Sequence, residues 1–263
     1  KGYYFNTDDQ AEHLPQVYQI LDSELYPNDY FVPLSNSILT VRYFFERLML
    51  VAESSFGIEV LCFILIILSL TLLARSIMGI ADFFFPKTEV KWLAPILVFF
   101  VFYGFTVGGN HITYPSLISS TLAKAFAAFS FWKFLQRKYL LAGLILGLGA
   151  LFQPLVGLQL GLLLMGAQFL LRPKDYSALV KFIIPFGLIV SIILVPVLLR
   201  QHGQKPLESE LYWEILYRFR NYHHYYPSLF PTGHVVKVIG LAIVGVIIFT
   251  FLRPKNYRFY LLF

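Results

Sequence analysis

Phe56 to Ala74 reads FGIEVLCFILIILSLTLLA, an unbroken apolar run whose one charged residue, Glu59, lies near its start. At about 1.5 Å per residue, a helix of this length crosses the roughly 30 Å of hydrocarbon in a bilayer, and this run predicts a membrane-spanning helix. Four further stretches read the same way: Trp92 to Val107, Tyr114 to Phe134, Ala178 to Leu199 and Val235 to Leu252. Leu140 to Leu171 is too long for one span and is interrupted at Gln153-Pro154, where the ring removes a backbone donor and disfavours helix in the residue before it. It predicts two short helices in a hairpin, packed closely through Gly143/Gly147 and Gly157/Gly161.

Composition agrees. Of 263 residues, 57% are hydrophobic and 14% charged, against about 25% charged in a soluble domain. The net charge of +6 does not read as a nucleic-acid surface, because the basic residues stand singly or in pairs beside apolar runs. With seven segments and residues 1–55 outside, Arg75, Lys87 and Lys91, then Lys133, Arg137 and Lys138, then Arg172, Lys174 and Lys181, and finally Arg253, Lys255 and Arg258 fall in cytoplasmic connections, as the positive-inside rule expects. LRPKDY at Leu171–Tyr176 and LRPKNY at Leu252–Tyr257 repeat as helix stops with interface anchors. Cys62 is the only cysteine, which excludes an intrachain disulfide and a cysteine-based zinc site. Lys1-Gly2-Tyr3 carries neither an initiating Met nor a leader pattern, so a longer membrane protein with a further upstream helix is expected.

The fold expected is therefore all-α, a polytopic transmembrane helical bundle with surface helices in a long first outer loop. The organisation is an outer loop at 1–55, transmembrane helices at 56–199 including the broken hairpin at 140–171, an outer polar and aromatic loop at 200–234, and a last helix with its cytoplasmic end at 235–263. Within the first loop, Asp9 to Leu25 and Ser35 to Phe56 carry apolar residues at helical spacing, as in Leu14, Val17, Tyr18 and Leu21, and read as helices along the membrane surface. Tyr26-Pro-Asn-Asp29 between them reads as a turn.

Two constellations can carry chemistry on the outer face. Asp8 and Asp9 precede the first amphipathic helix. They read either as helix caps or as a working pair, one acting as a base or both holding a divalent cation. Arg218, Arg220, His223, His224 and Tyr225 stand together in the later loop, where guanidinium forks suit phosphate oxygens and rings suit a sugar face. An interfacial aromatic belt also explains the tyrosines, but not two arginines beside two adjacent histidines. His111, in the short loop Gly108 to Thr113, can reach the same outer cavity. Lys124, an ionisable group well inside an apolar stretch, needs a partner or water. No residue set is assigned firmly to a metal.

This pattern resembles the membrane glycosyltransferases of the GT-C fold, on Asp8-Asp9 at the head of the first outer loop, the two helices of that loop, the many short-looped spans and the later polar loop. Phe219 to Pro227 is also similar to the Arg-rich, His-His-Tyr segment of bacterial relatives of that group. The resemblance implies a sugar moved from a polyprenyl-phosphate carrier to an acceptor on the non-cytoplasmic face of the plasma (inner) membrane. Asp8 or Asp9 would then serve as catalytic base or metal ligand, and the partners would be the lipid-linked donor and membrane lipids. It departs from that family in lacking the usual first helix, a soluble C-terminal domain and an acceptor-recognition motif. Two other readings stay open: a transporter or flippase for a lipid-linked or small anionic substrate, with a midplane site at the broken hairpin and Lys124, and a non-catalytic scaffold subunit.

Overall fold

A computed structural model describes residues 3–7, 9–53, 55–86, 88–101, 111–202, 208–215, 218 and 232–252. The described residues are helical, with no strand among them. In chain order the helices are α1 (Gln10–Leu21), α2 (Phe31–Asn36), α3 (Tyr43–Glu53), α4 (Ile58–Phe84), α5 (Val90–Ile96) continuing into a π-helical turn (Leu97–Val101), α6 (Ser119–Leu135), α7 (Tyr139–Phe152), α8 (Pro154–Leu171), α9 (Tyr176–His202), α10 (Ser209–Glu214) and α11 (Thr232–Leu252).

Three of these helices are long and apolar enough to cross a membrane: α4, α8 and residues Tyr176–Arg200 of α9. Shorter apolar helices cover Val90–Val101, Tyr139–Phe152 and Thr232–Ile247. Large apolar side chains on the outside of these helices, such as Leu68, Leu162, Leu188 and Phe251, are exposed. Lipid is the medium in which such a surface is stable, and the chain is membrane-embedded.

The apolar runs and the helices differ at their ends. Helix α4 continues past Ala74 to Phe84. Arg75 does not stop it, because its guanidinium stacks over the Trp132 ring, and Ser76 turns its hydroxyl back to the Leu72 carbonyl at 2.6 Å. Conversely, Tyr114 to Ile118 is not helical and α6 starts only at Ser119. Pro115 disfavours helix at Tyr114, and the Pro115 and Leu117 carbonyls accept hydrogen bonds from the N-terminal segment instead. The stretch expected as a helix from Ser35 to Phe56 is likewise divided, with α2 ending at Asn36 and α3 starting at Tyr43. At Gln153 the backbone leaves the helical region (φ −148°, ψ 93°), and Pro154 opens α8 at a first-turn position where its missing N–H has no partner to lose.

Two cores result. One joins α6, α7, α8 and α9 through Phe134, Leu146, Ala150, Leu164, Phe182 and Phe186. The other joins α1, α3, α4 and the start of α6 through Leu14, Val17, Phe45, Met49, Ile58, Cys62, Leu117 and Leu122. Because Ile58 and Cys62 of α4 and Leu117 and Leu122 at the head of α6 share one core, while Gly79 and Arg75 further along α4 meet Trp132 near the end of α6, the two helices run in the same direction. The second core places Tyr3, Phe5 and the start of α1 over the beginning of α6.

Candidate functional site

The site is built where the N-terminal segment crosses residues 113–117. The Tyr4 amide donates to the Pro115 carbonyl at 3.0 Å, and the Gln10 side-chain amide donates to the Leu117 carbonyl at 2.8 Å. Gln10 is fully buried, and its Oε1 accepts the Asn6 amide at 2.7 Å. Asn6 sits at φ 56°, a left-handed conformation that asparagine tolerates better than most residues, so the chain can turn sharply before α1. One side chain, Gln10, thus pins both the turn and the strap it crosses.

This turn carries Asp9 to the head of α1, exposed to solvent. Asp9 occupies the N-cap position, yet its side chain makes no capping hydrogen bond; its carbonyl accepts the amides of Glu12 at 3.1 Å and His13 at 3.2 Å. The carboxylate therefore remains available. It lies close enough for its charge to act on Lys124, in the second turn of α6. The Lys124 ammonium donates to the His111 carbonyl and stands 4.8 Å from the centre of the Tyr114 ring. The His111 ring packs edge-on to Tyr114 at 5.8 Å. Ammonium, phenol and imidazole thus gather at one end of the second core, with the Asp9 carboxylate near enough to act through its charge.

Beside them opens an apolar cavity of about 490 Å³ between α4, the π-helical turn after α5 and residues 113–115. Phe63, Ile66, Ile67, Leu70, Phe99 and Phe100 form its apolar walls, and Tyr3 and Tyr114 stand at the polar side. The π-helical turn follows Pro95, whose missing N–H breaks the regular ladder and turns Phe99 and Phe100 toward this space. The Tyr3 hydroxyl donates to the Glu59 carbonyl at 3.4 Å. Burial first, and the nearby Glu59 carboxylate in addition, push Tyr3 up to about 12, so it stays a neutral donor.

Of the residues singled out in the sequence, His111 and Lys124 come together at Tyr114, while Asp9 makes no ion pair with Lys124 and bears on it only through its charge at longer range. Arg218 is exposed and pairs with Glu214 one helical turn earlier at 3.3 Å. Asp8, Arg220, His223, His224 and Tyr225 lie outside the described residues. Among the described residues no group of three His, Cys, Asp or Glu converges as ligands, so a divalent cation at the carboxylate pair would rest on Asp8 beside Asp9. Tyr114 is the member that sequence reading passed over. It is one of 17 tyrosines, and only the fold shows that it walls the cavity and supports the ammonium.

No family model matches the chain, and no match was found among curated proteins or among solved structures.

Proposed function

We propose that the chain is an integral membrane glycosyltransferase that moves a sugar from a polyprenyl-phosphate carrier to an acceptor at the non-cytoplasmic face of the plasma (inner) membrane. The observation that carries this reading is the double role of Tyr114, which walls an apolar cavity on one side and bears the Lys124 ammonium on the other, with the Asp9 carboxylate in electrostatic range. A lipid-linked phosphosugar needs these features in this order: an apolar slot for the chain, a cation for the phosphate and a carboxylate beside the sugar. Neither the cavity nor the charges alone would point to such a donor.

The chemistry then runs as a displacement. The acceptor hydroxyl attacks the anomeric carbon while its proton passes to the Asp9 or Asp8 carboxylate. The bond from that carbon to the phosphate oxygen breaks, and polyprenyl phosphate leaves with the electron pair. The leaving oxygen gains charge in the transition state, so a nearby cation lowers the barrier. Lys124 fills that role together with Arg218, Arg220, His223 and His224 of the later loop, while Tyr225 and His111 bear on the sugar. The polytopic bundle of seven segments, with residues 1–55 and 200–234 on one side, belongs to the same reading.

The test is transfer of labelled sugar from a polyprenyl-phosphate donor in membranes holding the full-length protein. Asp8→Asn and Asp9→Asn separate the two candidate bases, and full activity in both would defeat the reading. Single-cysteine labelling at Asn28 and Glu210 in a Cys62→Ser background checks sidedness, and opposite labelling would remove the later loop from the site. A transporter would keep lipid binding in both Asp variants and show no transfer in the parent.

A further inference from the structure

At the far end of α4 and α6 from Asp9 lies a second group of charges that the proposed transfer does not use. Trp132, in the last turn but one of α6, lies flat on Gly79 of α4, so closely that a Cβ at position 79 would overlap the indole ring. The Arg75 guanidinium stands 5.8 Å from the Trp132 ring centre. The Lys133 ammonium stands 3.6 Å from the same ring and 4.7 Å from that of Phe129. Two residues past the end of α6, Arg137 sits at φ 62°, with the Lys138 amide closing back to the Lys133 carbonyl at 3.0 Å. This left-handed cap position favours glycine, and a long cation occupies it here.

Lys133 feels the like charges of both Lys138 and Arg75. None of Arg75, Lys133, Arg137 and Lys138 enters an ion pair among the described residues, and Asp82 of α4 pairs with Lys91 at 3.4 Å. Cations gathered without a carboxylate favour an anion from outside the chain. The face that follows is apolar, since Leu140 and Leu141 in the first turn of α7 are 57% and 41% exposed. A ligand for this place carries negative charge at one end and hydrocarbon at the other.

We propose that Arg75 and Lys133, which flank Trp132, together with Arg137 and Lys138 just past the end of α6, bind the phosphate headgroup of an anionic phospholipid, whose chains lie along the exposed leucines of α7. Basic pockets between membrane helices are suited to such headgroups, and each Lys or Arg near the surface contributes about fivefold in affinity. The indole and the cations hold the phosphate at the depth where a membrane headgroup lies, and a free anion would gain nothing from Leu140 and Leu141.

The experiment is native mass spectrometry of the detergent-solubilised full chain with phosphatidylglycerol or phosphatidylcholine of identical chains. The expected result is retention of phosphatidylglycerol about tenfold above phosphatidylcholine, a preference lost in Arg75→Gln/Lys133→Gln and kept in the charge-matched control Arg47→Gln/Arg200→Gln. If the first double variant does not fold, Lys138→Gln, whose side chain is exposed, serves in its place and should reduce the preference about fivefold. Equal retention of the two lipids by the parent would overturn the proposal, as would equal loss in test and control variants. Displacement of the lipid by excess inorganic phosphate would also overturn it, assigning the group to free anions.

Discussion

The α6 to α9 core and the α1 to α4 core bury the same kinds of aliphatic and aromatic side chain, but they differ in what else they bury. In the first, close approach comes from glycine: a Cβ at Gly143 would run into the Phe182 carbonyl, one at Gly157 into Ala150, and one at Gly161 into the Phe186 ring. Its few polar groups are satisfied locally, as where Ser130 donates to the Ala142 carbonyl at 2.8 Å. In the second, Gln10, His13, Gln16 and Glu46 are buried beside Leu14, Val17 and Phe45. Two of their atoms, His13 Nδ1 and Gln16 Oε1, make no hydrogen bond. Close glycine packing is concentrated in one core, and buried polar groups and the candidate site in the other.

If that division holds, the largest effect should come from the site edge of the polar core with no cost to the fold. Asp9→Asn keeps size and loses charge, so transfer should fall by about 10² to 10⁴-fold if Asp9 is the base, because proton transfer to a positioned group contributes that much. Carrier binding and the detergent-solubilised size profile should not change. Lys124→Gln should instead weaken carrier binding together with turnover, since a phosphate is charged in the ground state as well as the transition state. Equal losses in KM and kcat terms for both variants would erase the distinction between base and anion holder.

The next effect belongs to the polar core. His13 Nδ1 lies 4.0 Å from Glu46 Oε1, both side chains nearly inaccessible, and the His13 ring packs on Phe45 at 5.2 Å. His13→Leu replaces the polar neighbour of the buried Glu46 side chain by hydrocarbon and should cost about 1 to 3 kcal/mol, whereas His13→Leu/Glu46→Leu should recover most of it. Thermal unfolding in detergent of the two singles and the double gives the coupling. Additive losses would show that the pair does not interact.

Much of the glycine-packed core was legible. Apolar length identifies α8 and α9, and a proline after glutamine is enough to end α7 at Phe152, because the backbone donor is missing whatever the surroundings. The polar core was less so. Nothing local in Tyr4, Gln10, Pro115 or Leu117 announces that the first two will take the carbonyls of the last two across more than a hundred residues, and this pairing is what keeps Tyr114 to Ile118 out of the helix. In the site, Lys124 was visible as an ionisable group within an apolar stretch, and Asp9 and His111 as outer polar residues. The meeting of Lys124 and His111 at Tyr114, with Asp9 nearby, depends on that strap.

Glycine supplies a sharper test at smaller magnitude. Gly143→Ala places its methyl against backbone, which cannot turn aside, and should lower stability by about 1 to 3 kcal/mol. Gly166→Ala, in α8 where the new Cβ meets nothing within 4 Å, should be neutral or raise stability by up to about 1 kcal/mol through helix propensity. Similar losses at both positions would mean that helix propensity, and not close contact, governs this core.

The smallest effect is expected where neither core reaches. Arg218 and Glu214 pair across one turn with side chains 68% and 48% exposed, so the ion pair is solvated on both partners and should contribute less than about 0.5 kcal/mol. Arg218→Ala and Glu214→Ala should leave the unfolding temperature unchanged within error, and salt should not alter the comparison. Their effects on transfer should differ in sign. Removing Glu214 frees the guanidinium for a phosphate and should lower the donor KM slightly, while removing Arg218 should raise it. A stability loss in either variant would mean that the pair anchors α10 to the bundle. Unchanged KM in both would restrict phosphate binding to Lys124 and the remaining cations of the later loop.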